Sequence, residues 1–335
     1  MRRRDFVNSS LFAMLGPRCV AASSLYTDVK IGMSTPADLR NNGVYVWLST
    51  CAKFLEQAGL PTRIYPNSTL GGDRERTYQV QLGLLDINAT GGDELSRWSP
   101  MLAASARPFL ISSYDHLSCL IEHTPYLEHI SASLRPHGLE LVDLAYTASM
   151  VGLFTKAVPV RVPADLKPLR LRILSESDFA LLRAWEVRGV QVAWEEVAQS
   201  LQTGIVDAYL NPPNVALMFG HGAVLDYFTD LRMGPATRPI VAATRWLDTL
   251  SIDDRTAVHR AFSHARTANR QWAAQRRATD KARLQEAGIE WIDLEEGERD
   301  HWINASRTIP DGRWETADTT AKFREWVEST RRVEQ

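Results

Sequence analysis

What most constrains this chain is an alternation of short strands and helices that occurs twice along its length. Residues 28–33 alternate as a strand does, and residues 44–58 carry apolar side chains at helical spacing until Gly59 stops them. Residues 62–65 then read as a strand, Pro66-Asn67-Ser68 as a turn, residues 74–82 as a helix ending at Gly83, and residues 85–89 as a third strand. Such a rhythm builds a mostly parallel sheet covered by helices. It returns after about Ala148. Strands are predicted at 153–155 and 169–174, a helix at 179–187, a strand at 190–193, a helix at 195–202 closed by Gly204, and a strand at 206–210. Two α/β lobes follow from the repetition. A long pattern at 252–287, rich in Ala, Arg and Gln and ended by Gly288, predicts a helix of about 50 Å at 1.5 Å per residue. That exceeds the width of one small lobe, so the helix is expected to brace both. A last strand is predicted at 289–294 and a C-terminal helix at 322–333.

The composition suits such a fold and narrows its partners. With 335 residues, 44% of them hydrophobic, the chain has the apolar mass for two domains. A net charge of −2 leaves no basic footprint for nucleic acid. The local cluster Arg276, Arg277, Lys281 and Arg283 shares its helix with Asp280 and Glu286 and reads as a solvated face. Residues 1–24 have the form of an export leader: three arginines, an apolar run from Leu11 to Leu15, then small residues Ala21 to Ser24. The arginines before Asp5-Phe6 suit a twin-arginine signal, while Pro17 and Arg18 interrupt the apolar core. No later stretch has the roughly 20 apolar residues of a membrane span. Cys51 and Cys119 lie too far apart for a close-spaced metal motif and read as two free thiols, with a disulfide left open.

Three blocks carry a more specific signal. They are Tyr65-Pro-Asn-Ser-Thr-Leu-Gly-Gly-Asp73-Arg-Glu75 with Gln79-Val-Gln-Leu-Gly83, then Val162-Pro-Ala-Asp165-Leu-Lys-Pro-Leu-Arg170-Leu-Arg172, then Leu201-Gln-Thr-Gly204-Ile-Val-Asp207-Ala-Tyr-Leu-Asn211-Pro212. In this order they resemble the solute receptors of tripartite ATP-independent periplasmic (TRAP) transporters, of the dicarboxylate-binding type. The resemblance covers essentially the whole chain after the leader. It implies an α/β fold shaped as a two-lobed clamp like other periplasmic binding proteins, each lobe a mixed, mostly parallel sheet flanked by helices. Lobe I would comprise residues 25–149 and about 237–277, and lobe II residues 150–236 and about 278–310, with residues 311–335 a C-terminal helix packed on the lobes. It further implies a monomer in the periplasm that captures a small organic acid and delivers it to the membrane subunits of a transporter.

The resemblance places Arg172 in the cleft, paired to the ligand carboxylate. A guanidinium is planar, permanently charged and offers two parallel N–H bonds, so the chemistry fits. Arg170 and Arg172 alternate with leucine and share one face of a strand; Arg170 is left structural. Asn211 follows a strand and precedes prolines, where its amide can donate to and accept from a ligand. Thr90 and Gly91 form a loop at the mouth of the same cleft, and Ser34, after the first strand, has similar standing. Trp194 is either a pocket wall or a core tryptophan.

The sequence also departs from that pattern. Pro168, Ala208 and Leu210 replace two usual glycines and a frequent glutamate, which removes a case for a metal there. Sialic-acid-binding relatives carry a second arginine where this chain has Gly152 and a glutamate where it has Gly91, so a different carboxylate is expected. No zinc motif, phosphate loop or nucleophile elbow occurs. The expectation is therefore a binding protein rather than an enzyme, without cofactor or metal. A stand-alone sensor using the same clamp, or an α/β enzyme, are the alternatives.

Overall fold

A computed structural model describes residues 28–174 and 178–331. The leader assigned to residues 1–24, and Cys19 within it, lie outside the described residues. In chain order the strands among them are β1 (Val29–Gly32), β2 (Thr62–Tyr65), β3 (Ile87–Ala89), β4 (Leu139–Met150), β5 (Gly152–Thr155), β6 (Arg170–Ile173), β7 (Arg188–Gln191), β8 (Ala208–Asn211), β9 (Tyr227–Thr229), β10 (Pro235–Ala243) and β11 (Glu290–Ile292). They form two mixed sheets. The first has the order β2-β1-β3-β10-β4, with β1 parallel to β2 and β3 while β10 runs antiparallel to β3 and β4. The second has the order β11-β9-β5-β8-β6-β7, with antiparallel pairs only on either side of β5. Each sheet lies beneath helices, which gives the α/β clamp its two lobes.

The first lobe forms where the sequence rhythm puts it. Asn42 caps helix Gly43–Gln57 by accepting from Val44 N (3.1 Å) and Tyr45 N (3.3 Å). That helix buries Trp47, Leu48 and Leu55 against Ile31 of β1 and Ile87 of β3. Its buried Trp47 donates from Nε1 to Asp143 Oδ2 on β4 (2.8 Å). Asp143 is paired in turn by Arg270 (2.8 Å) and Arg266 (3.2 Å), which dock the long helix on β4. The second lobe is centred on Phe154, Tyr209 and Phe228, whose rings lie 5.0 and 4.7 Å from the Phe154 centroid. Trp185 and Trp302 meet edge-on at 4.8 Å beneath β6. Cys51 is buried and Cys119 partly so, and both are free thiols.

The helical run predicted at 252–287 is two helices, Ile252–Arg277 and Asp280–Glu286. The first packs on helix Gly43–Gln57 and β4, the second on helix Pro213–Phe219 and β11. The break has a polar cause. Asp280 turns inward, fully buried, to accept from Ser149 Oγ (2.6 Å) and to pair with Arg283. The basic cluster here is thus partly interior, where the sequence reading had it solvated.

The chain crosses between lobes at several places, two of them side by side. β4 passes into β5 through Val151, and β9 returns to β10 through residues 230–234. Val151 N donates to Gly234 O and Met233 N to Val151 O, each at 3.0 Å. These crossings form a two-stranded ribbon, a geometry suited to hinge motion. A further crossing, between helix Glu296–Ser306 and helix Ala317–Arg331, is clasped by Arg107, which bonds Glu315 (2.6 Å) and Ile309 O (3.0 Å).

Candidate ligand-binding cleft

On β6, Leu171 and Ile173 enter the core while Arg170 and Arg172 point the other way. The two arginines then part company. Arg170 forms a bidentate pair with Asp207, Nε to Oδ2 at 2.8 Å and Nη2 to Oδ1 at 3.0 Å, and its backbone N–H also meets Oδ2 at 2.9 Å. These bonds hold the Asp207 carboxyl below its ordinary range. Arg172 donates from Nε to Val192 O (3.0 Å), which orients the guanidinium. Its Nη2 is buried and, among the described residues, has no hydrogen-bond partner. Burial lowers its pKa, opposed by Asp178, Asp93 and Glu195, but a guanidinium stays charged through any such shift.

Trp194 opens the short helical turn Trp194–Glu196. Its ring joins an aromatic cluster with Phe219 (5.0 Å), His221 (5.8 Å) and Tyr209 (6.0 Å) and lies 5.5 Å from Arg172 Cζ. Tyr209 Oη and His221 Nδ1 are 3.1 Å apart behind it; burial pushes the phenol up and the imidazole down, so both are held neutral. Asn211 ends β8, half-buried, opposite Gly152 of β5. At Gly152 even a Cβ would lie 2.3 Å from Phe228 Cζ and 2.6 Å from Thr229 O. Position 152 therefore has no room for any side chain.

A second polar cluster lies in the first lobe. Ser34, in the loop after β1, accepts from Arg238 Nη2 (2.9 Å), and that guanidinium also grips Asp73 Oδ2. Asp73, the first residue of helix Asp73–Leu82, binds Arg76 through Oδ1 and accepts from Gly91 N at Oδ2 (3.1 Å). Gly91 thus spends its N–H inside the cluster, and a Cβ there would lie 2.3 Å from Asp93 Oδ1. Thr90 corrects a sequence expectation. It is 0% exposed, its hydroxyl is 3.0 Å from Thr77 Oγ1, and its N–H donates to Pro239 O (3.0 Å). Alternation along the strand exit turns its side chain into the lobe instead of the cleft. Sequence reading missed Arg238, Asp93 and the fully buried Arg76. Asp73 stood in the first block, and its partner Arg238 lies on a strand that the reading left unassigned.

Asp93 lies beside Gly91 in the first lobe. Its side chain is solvent-accessible yet ringed by protein, and desolvation raises its pKa against the pull of Arg238, with Asp73 and Asp178 raising it further. Among the described residues, no group of three or more His, Cys, Asp or Glu is placed to hold a metal ion, and no helix is long and apolar enough to cross a membrane.

Known proteins share this architecture. A solute-binding protein of Roseobacter denitrificans is 24% identical over 289 residues, covering 83% of this chain and 86% of the relative. The C4-dicarboxylate-binding periplasmic protein of Rhodobacter capsulatus is 25% identical over 225 residues, 64% of this chain and 66% of its own. Among solved structures, a TRAP periplasmic solute-binding protein of Anaerococcus prevotii with bound D-glucuronate superposes with a TM-score of 0.82 at 21% identity, covering 92% of this chain and 99% of that one. A TRAP protein of Shewanella oneidensis with bound succinate gives 0.79 at 19% identity, with shares of 92% and 99%. Residues 52–315 match the family described as DctP, bacterial extracellular solute-binding protein, family 7. The chain therefore belongs to that family, the solute receptors of TRAP transporters.

Proposed function

We propose that this protein captures a small organic acid between its lobes, pairs the carboxylate with Arg172, and delivers it in the periplasm to the membrane subunits of a TRAP transporter. One observation carries the reading: Arg172 is aimed by Val192 and backed by Trp194, yet among the described residues its buried Nη2 meets no acceptor. An unsatisfied buried donor costs about 1–3 kcal/mol, and more when it is charged. A ligand carboxylate would remove that cost. It would accept from a planar donor already oriented, so little further order is lost on binding. Asn211, at the end of β8, would supply a neutral donor and acceptor beside it, and Trp194 an apolar wall. Ser34 and Gly91 would act through the opposite wall, by fixing Arg238 and Asp73, rather than by touching the ligand.

The relatives' ligands favour an acid. Bound D-glucuronate, succinate, L-galactonate and D-erythronate in four neighbouring structures all carry a carboxylate. His221, the buried imidazole behind Trp194, is committed to Tyr209. The lobes are taken as residues 25–149 with about 237–277, and 150–236 with about 278–310, moving on the ribbon at Val151 and Gly234.

Thermal unfolding of ligand-stripped protein against mono- and dicarboxylates, sugar acids and amino acids tests the reading. A carboxylate at roughly 100 times its Kd adds about 2.7 kcal/mol of stability. Stabilisation by no acid in the panel would overturn it. Small-angle scattering on the liganded protein should show a smaller radius of gyration. A reporter fused after residues 1–24 should leave the cytoplasm, and its retention would remove the periplasmic assignment.

A further inference from the structure

Arg172 fixes one end of a ligand; the wall of the first lobe faces the other. Asp73 is the pivot of that wall, because one carboxylate serves two guanidiniums. Oδ1 is held by Arg76, which is fully buried and also spends Nε on Asn88 Oδ1 (3.0 Å). Oδ2 is held by Arg238 and by Gly91 N. Arg238 is the outer member of the pair, its side chain 27% exposed and steadied by Ser34 Oγ. Asp73 alone leaves one positive charge unanswered.

Asp93 stands beside this group. Its Oδ1 lies 2.3 Å, and Asp73 Oδ2 3.2 Å, from the one point where a Cβ on Gly91 would sit. The Asp93 carboxylate therefore lies beside the Asp73 end of that pair, and Asp93 itself is exposed. Its charge is coupled to the other lobe, favouring the charged form of Arg172 while Asp178 raises the Asp93 pKa. Opposite Arg172 the wall thus offers a permanent donor and an acceptor side by side. A hydroxyl satisfies both, accepting from one and donating to the other. A second carboxylate would meet the donor but stand against two like charges.

We propose that Arg238 and Asp93 are the specificity residues for the end of the ligand remote from Arg172, and that they select a hydroxylated monocarboxylate over a plain dicarboxylate of equal length. The proposal rests on the carboxylate reading above and names the class of acid.

The test is titration calorimetry on ligand-stripped wild type, Asp93→Asn and Arg238→Met, with length-matched pairs: D-erythronate and succinate, D-xylonate and glutarate, D-gluconate and adipate. Wild type should prefer the hydroxy acid of the best-bound pair by roughly tenfold or more, the scale of one charge-assisted hydrogen bond. Asp93→Asn should collapse or reverse that preference by strengthening the dicarboxylate. Arg238→Met should weaken both acids, and Arg238→Lys replaces it if the methionine variant does not fold. A wild-type preference for dicarboxylates, or a ratio unchanged in Asp93→Asn, overturns the proposal alone if binding still depends on Arg172. Binding by no member of any pair overturns the carboxylate reading and this proposal with it.

Discussion

The Arg172 guanidinium carbon stands 5.5 Å from the centroid of the Trp194 ring. Together with the bond from Nε to Val192 O, this contact leaves the guanidinium little choice of orientation. A cation over an aromatic face contributes about 0.5–2 kcal/mol, depending on desolvation. Trp194→Leu should therefore weaken acid binding by roughly 2- to 30-fold, and Trp194→Phe by less. Calorimetry with the best acid from the thermal screen checks this, and unchanged affinity in Trp194→Leu would show that the ring is only core packing.

Gly152→Ala should destabilise the fold. The added methyl would meet the Phe228 ring and the Thr229 carbonyl at distances that no real contact tolerates. Overpacking of this kind costs about 1–3 kcal/mol, and backbone on one side makes the upper end the expected value. Urea unfolding should show a lower midpoint with an unchanged slope. A neutral result would mean that β5 and β9 are spaced more widely than described.

Much of the frame was legible because glycine and alternation punctuate it. Gly59, Gly83 and Gly204 each sit in the left-handed region just past a helix, and each stopped a predicted helix where a real one stops. The strands β4 and β10 were not legible, for physical reasons. β4 has a central stretch, Asp143 to Tyr146, buried without alternation, so no period of two marks it. β10 contains Pro235 and Pro239, residues that argue against an interior strand. The sheet tolerates them beside irregularities in the β10–β4 register, at 235–237 and 240–241. With β10 unseen, Arg238 was unseen too, and its pairing with Asp73 joins residues 165 positions apart. Arg172 and Asn211 needed the family blocks. Taken alone, an arginine on a strand end is as well explained by the pair that Arg170 makes with Asp207.

Dicarboxylate binding should tighten as the pH falls. Burial places the Asp93 pKa above the usual carboxylate value, with Arg238 opposing the shift and Asp73 and Asp178 adding to it. A dicarboxylate, whose remote anionic end has no hydroxyl to donate to Asp93, raises that pKa again, so its binding takes up protons, whereas a hydroxyl donating to Asp93 keeps the carboxylate ionised. By linkage, affinity then rises as the pH drops from about 7 towards the raised value, while the ligand's own carboxylate remains ionised. Asp93→Asn should flatten this dependence. Calorimetry in buffers of different ionisation enthalpy reads the proton count directly; proton release on binding, or an equal slope in Asp93→Asn, would count against the assignment.

The most direct test of the carboxylate site is the Arg172 series. Lysine keeps the charge but loses the planar fork, and hydrogen bonds to charged groups contribute roughly 1.5–3 kcal/mol each. Arg172→Lys should weaken binding by about one to two orders of magnitude, and Arg172→Ala by more. Arg170→Ala, on the same strand but committed to Asp207, should leave affinity nearly unchanged. Titration calorimetry of the three variants with one acid, the folds checked by circular dichroism, gives the answer. The expected order is wild type and Arg170→Ala tightest, then Arg172→Lys, then Arg172→Ala; equal affinity for wild type and a folded Arg172→Ala would contradict the carboxylate site.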